Sequence, residues 1–114
     1  MKKSDINLSI LLDENAVPEA IQWNASDSGI NGQQSAKAMM LALWDEKEKN
    51  TLRIDLWTKE MNTDEMKNFF YQTIMTMADT FERATGEDKM AKEMREFGMD
   101  FGEKMELIRR NSNN

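Results

Sequence analysis

Residues 36–66 read AKAMMLALWDEKEKNTLRIDLWTKEMNTDEM, and the fold turns on how this stretch is parsed. Its first third crowds Ala36, Ala38, Met39, Met40, Leu41, Ala42, Leu43 and Trp44 together. That density predicts a helix over about residues 35–48, apolar around much of its circumference and buried on more than one side. Glu46, Lys47, Glu48, Lys49 and Asn50 then read as its charged end. Leu52, Ile54 and Leu56 alternate with Thr51, Arg53, Asp55 and Trp57, the period of a half-buried strand. A second helix follows: Asn62 is placed as its N-cap, Glu65 as the capping-box partner, and Met61 and Met66 as a hydrophobic staple.

Upstream, Ile6, Leu8, Ile10 and Leu12 alternate with Asn7, Ser9, Leu11 and Asp13. Ile21, Trp23 and Ala25 alternate with Gln22 and Asn24. These are two strands joined as a hairpin through DENAVPE, which holds Pro18, the single proline. SDSGINGQQ is a polar loop. Downstream, Met66, Phe69, Phe70, Thr73, Ile74, Met77 and Phe81 form a helical stripe, stopped by Gly86 after Thr85. A third helix starts near Asp88 with Met90, Met94, Phe97, Phe101, Met105 and Ile108 on one seam. The end, RRNSNN, is expected to fray.

The expected fold is therefore α+β in the order β-β-α-β-α-α. It is a three-stranded antiparallel sheet, strand order 2-1-3, with three helices on one face. Residues 1–110 form one domain and 111–114 a frayed tail. The other sheet face is left open, carrying Asn7, Ser9, Leu11, Gln22, Asn24, Arg53, Asp55 and Trp57.

Composition narrows the function. With a net charge of -6 the chain lacks the lysine and arginine excess that drives phosphate binding, so nucleic acid is not an expected partner. Cysteine and histidine are both absent. Disulfides, thiolate chemistry, Ser-His-Asp triads and imidazole metal sites are excluded with them. MKKSDINLSILLDENAV has a basic start but no long apolar run and no cleavage site. No segment approaches the ~20 apolar residues that span a bilayer. A cytoplasmic chain without an anchor is expected.

Chemistry-bearing groups are few. Asp45, Glu46 and Glu48 could bind a divalent cation. On a helix, however, neighbouring residues point about 100° apart. Lys47 and Lys49 also oppose a cation, so a solvated helix end is the better reading. Asp55 and Glu60 lack the contrasting environments of a two-carboxylate hydrolase. GINGQQ has neither GxGxxG spacing nor a P-loop lysine. No catalytic residue, metal site or cofactor site is assigned.

Three further features suggest contacts instead. Gly98 and Gly102, four apart on a helix, suit close packing against another helix, of this chain or of a second subunit. Most of the eleven methionines fall on core stripes, while Met75 and Met99 fall off them as candidate contacts. Trp57 is out of phase with Leu52, Ile54 and Leu56 and so points to the open face. There it would be an interface anchor, with Arg53 and Asp55 as its polar rim and Leu11 and Asn24 on the same surface. A strand-end bulge turning Trp57 into the core is the alternative. Trp44, amid apolar neighbours, reads as core.

MMLALWDEKEKNTLRIDLWTKEM, followed by DEMKNFFYQTIMTMADTFERATGEDKMAKEM, resembles the gliding-motility protein GldC family of gliding Bacteroidetes-type bacteria. The opening KKSDINLSILLDENAVPEAIQWNASD resembles that family's start. The most specific strings are WDEKEKNTLRIDLWTK and MADTFERATGEDKMA. The resemblance implies a small soluble accessory protein of gliding motility, with no enzymatic activity, cofactor or catalytic residues to carry over. The function expected is protein binding to a component of the gliding machinery. Two competing readings are a homodimeric structural protein and a small-ligand or chaperone-like module with a methionine-lined groove between its helices.

Overall fold

The computed structural model describes residues 1–27, 29 and 31–110. The frayed tail expected at 111–114 lies outside them. The chain divides into two compact units, residues 1–61 and 62–114.

The first unit is all β. Strand β1 (Ile6–Leu12) pairs antiparallel with β2 (Pro18–Ala25), and β2 with the short β3 (Gln34–Ala36), in the order β1-β2-β3. The expected first hairpin is present. Its turn is built on Asp13, whose carboxylate accepts from the backbone N–H groups of Asn15 and Val17. The register puts Ile6, Leu8 and Ile10 on one face with Ile21, Trp23 and Ala25. Ile21 is fully buried there.

A second sheet holds β4 (Ala38–Trp44) and β5 (Thr51–Trp57), again antiparallel. This overturns the expected architecture. Residues 38–44 are a strand and not a helix. Residues 51–57 pair with them and not with the first strand. Neither the single three-stranded sheet nor the order 2-1-3 forms, and two helices stand where three were expected. A continuous apolar run fits a two-faced strand as well as a buried helix, and periodicity alone does not separate them. The charged segment decides it, because it is a hairpin turn. Asp45 N–H donates to Asn50 O at 2.9 Å, and its carboxylate accepts from Glu48 N–H at 2.6 Å. Lys49 takes a left-handed φ of 54° to close the loop.

The second unit is a helical hairpin, α1 (Thr63–Thr85) and α2 (Asp88–Lys104). Both helix starts and the stop of α1 follow the sequence. Asn62 caps α1, and Glu65 completes the capping box in both directions. Gly86, at φ 74°, ends it. The two helices meet through small residues: Ala78 on α1 and Ala91, Gly98 and Gly102 on α2 are all buried. Arg95 of α2 bonds to Asp79 and Glu82 of α1 at 2.9 and 2.6 Å. The expected third stripe is cut short. At the end of α2, Glu106 adopts φ 60°, and Leu107 N–H reaches back to Gly102 O at 2.8 Å. This Schellman-type cap folds the chain back, so Ile108 lies against Gly102 instead of extending the helix.

Candidate functional site

Facing residues of an antiparallel pair share a side of the sheet. The β4–β5 ladder therefore has two unlike faces. One carries Met39, Leu41 and Leu43 opposite Leu56, Ile54 and Leu52. The other carries Ala38, Met40, Ala42 and Trp44 opposite Trp57, Asp55, Arg53 and Thr51.

Trp57 is 58% exposed on this second face, as its out-of-phase position requires. The strand end after it is firmly held. Thr58 is buried and donates its N–H to Lys37 O at 2.8 Å, and Lys59 bonds to the Asp13 carboxylate. Asp13 is held down to about 2 by that Lys59 bond first, then by the Val17 and Asn15 amides. Arg53 donates two hydrogen bonds to Asp55, at 2.8 and 3.1 Å. These bonds raise the arginine and lower the carboxylate, so both stay ionised at neutral pH.

Trp44 is corrected from core to surface. It lies on the same face as Trp57 and is 70% exposed. Trp44 is opposite Thr51, so the two indoles are six residues apart along the ladder, roughly 20 Å at strand rise. The Arg53–Asp55 pair lies between them. Sequence reasoning missed Trp44 because it assigned a helix. Read as a strand, its parity with Ala38, Met40 and Ala42 places it beside Arg53 and Asp55.

The structure thus brings Trp57, Arg53 and Asp55 together and adds Trp44. It does not bring Leu11 and Asn24 onto that sheet. Both are on the other one, where Leu11 is exposed opposite Ala20 and Asn24 accepts from Asn7 Nδ2 at 2.9 Å. Gly98 and Gly102 are placed against α1 of the same chain. A Cβ on Gly102 would stand 2.8 Å from Tyr71, and one on Gly98 would meet Met75. Met75 is accordingly half-buried, as is Met99.

Two surface cavities stand out among the described residues. One is lined by Glu103, Glu106, Leu107, Ile108, Arg109 and Arg110, and another of about 310 Å³ by residues that include Glu19, Lys37, Thr58 and Glu60. Neither contains a methionine. Asp45, once a candidate cation ligand, is committed to its turn. Among the described residues no group of three or more acidic side chains is placed to hold a metal, and no helix is long and apolar enough to cross a membrane.

The fold and this surface define a small α+β protein built from a β-rich unit and a helical hairpin, with an aromatic-bracketed strand face exposed. The chain belongs to the GldC-like family, described as gliding motility-associated, whose model matches residues 18–107. No match is found among curated proteins or among solved structures.

Proposed function

We propose that the protein is a non-catalytic, cytoplasmic accessory factor of gliding motility. It recognises a protein component of that machinery through the β4–β5 face that carries Trp44, Arg53, Asp55 and Trp57. The observation behind this reading is the exposed Trp57 on a firmly anchored strand end, beside an ion pair. Aromatic side chains rimmed by polar groups are typical binding anchors. An exposed ion pair adds little to folding, so Arg53 and Asp55 are better accounted for by recognition than by stability. The absence of histidine and cysteine supports a binding role over an enzymatic one.

Complementation tests this. Trp57→Ala and Arg53→Glu are expected to restore gliding poorly in cells lacking the wild-type chain, while the purified variants keep a thermal midpoint close to the wild type. Full restoration by both variants would remove the proposal. So would a large loss of stability in Trp57→Ala, which would make Trp57 a core residue.

A further inference from the structure

Among the described residues, no strand pairs with the outer edge of β5. Two bonds fix which backbone groups lie on that edge. Asp45 N–H donates to Asn50 O, and Thr58 N–H donates to Lys37 O. Both continue the β4–β5 register as hydrogen-bonded pairs, and such pairs alternate with non-bonded ones along an antiparallel ladder. Leu52, Ile54 and Leu56 therefore direct their N–H and C=O groups at β4. Thr51, Arg53, Asp55 and Trp57 direct theirs outward. Six of the seven residues of β5 are exposed, and the strand has neither a proline nor a register shift. Such an edge is a template for another strand.

We infer that the β5 edge pairs antiparallel with the β5 edge of a second copy of the chain, across a twofold axis at Ile54. The strand sequence TLRIDLW favours a second copy because it is its own complement. Turned about Ile54, Arg53 falls opposite the partner's Asp55, and Asp55 opposite the partner's Arg53. Leu52 meets the partner's Leu56, Ile54 meets the partner's Ile54, and Thr51 meets the partner's Trp57. Opposite charges, apolar pairs and aromatic–β-branched pairs are the cross-strand neighbours that stabilise a ladder. The backbone agrees with the side chains. Arg53 and Asp55 face outward, so each exchanges both N–H···O bonds with its counterpart, and the Ile54 pair lies between them as a non-bonded pair. The register is also specified against slippage. A slip of one residue sets outward backbone groups against inward ones. A slip of two sets Arg53 against Arg53 or Asp55 against Asp55. The ion pair is within reach: Arg53 already contacts Asp55 of its own strand at 2.8 Å. Two residues along a strand span about 7 Å, whereas bonded neighbours across a ladder stand about 5.5 Å apart.

Edge pairing uses backbone groups and not the Trp44–Trp57 face, so it does not rest on the partner reading and is tested on the purified chain alone. Light scattering on the full chain at tens of micromolar should give twice the mass of one chain. Arg53→Asp and Asp55→Arg each set two like-charged pairs across the axis and should weaken self-association roughly tenfold or more. Mixed in equal amounts, the two folded variants should associate with each other, since each carries the charge that the other lacks. Because the chain has no cysteine, Ile54→Cys introduces a unique thiol. Non-bonded pairs bring Cα atoms to about 4.5 Å, inside the range of about 4.4–6.8 Å that a disulfide spans. Ile54→Cys should therefore oxidise to a linked dimer, while Leu43→Cys, on β4 and away from the axis, should not. This arm decides the matter even if a charge variant fails to fold. A wild-type monomer would overturn the inference, as would a dimer in which the Ile54→Cys thiols do not pair. Folded charge variants that fail to associate when mixed would overturn it equally.

Discussion

Leu41 and Ile54 stand opposite one another across the β4–β5 ladder, at the centre of a face made only of aliphatic side chains. Their neighbours in sequence, Met40 and Ala42, Arg53 and Asp55, face the other way. The alternation of both strands follows from this one pairing. It predicts that backbone Cα and Cβ chemical shifts over residues 38–44 carry the strand signature, with cross-strand proton contacts between residues 41 and 54. Helical shifts over 38–44 would return the chain to the architecture corrected above.

The two helical glycines should respond differently to alanine. Alanine favours a helix interior by about 1 kcal/mol over glycine, but overpacking costs about 1–3 kcal/mol. At Gly102 the new Cβ meets the rigid Tyr71 ring at 2.8 Å and Ile108 at 2.9 Å. At Gly98 it meets the end of the flexible Met75 side chain, with Ile74 at 3.2 Å. Urea denaturation is expected to show Gly102→Ala destabilised by roughly 1–2 kcal/mol and Gly98→Ala close to the wild type.

Asp13 should give the β unit a pH dependence. Its carboxyl is lowered to about 2 in the folded chain, Lys59 being the largest cause. The unfolded carboxyl titrates at about 3.9. A depressed folded value means the contribution is complete above the unfolded value and is lost as pH falls towards the folded one. The difference in urea midpoint between wild type and Asp13→Asn should therefore shrink between about pH 4 and pH 2. A difference that stays constant across that window would rule out the Lys59 contact as its source.

Thr58 is 3% exposed and its hydroxyl oxygen has no hydrogen-bond partner among the described residues. Replacing an unpaired buried hydroxyl by a methyl of the same shape is neutral or stabilising. Thr58→Val should keep or raise the thermal midpoint, by up to about 1 kcal/mol of stability. A drop would reveal a bond to that hydroxyl.

The helix ends offer a matched pair. Asn62→Ala removes the cap that accepts from Glu65 N–H and should cost about 1 kcal/mol. Glu106→Gly relieves a side chain from its left-handed φ of 60° and should gain about 1 kcal/mol. Differential scanning calorimetry reads both shifts, in opposite directions.

What the sequence made legible was local. Asn62, Glu65 and Gly86 mark α1 because caps act within a few residues and tertiary context does not change their hydrogen bonds. The first hairpin was equally plain, since its strands alternate cleanly. Residues 38–44 were misread because alanine, methionine and leucine favour helices and both faces of β4 are apolar. Only the Asp45–Asn50 turn, whose charges looked like a helix end, distinguishes the two. That single error hid Trp44 and split the expected open face, leaving Leu11 and Asn24 on a different sheet. Trp57, Arg53 and Asp55 stayed together because they share one strand, where parity alone fixes the side. The apolar stripes on α1 and α2 are expected as core, but Phe70, Met77, Met90 and Phe97 are exposed. The hairpin closes on its small residues instead.

The central claim is that Trp57 anchors a protein partner. The most direct measurement is quantitative mass spectrometry of proteins purified with the chain from gliding cells, comparing wild type with Trp57→Ala at matched expression. A truncated aromatic anchor loses roughly tenfold or more in affinity. The account predicts at least one co-purifying protein depleted on that scale, with the thermal midpoint of the variant unchanged. Identical sets of co-purifying proteins at equal abundance would contradict it.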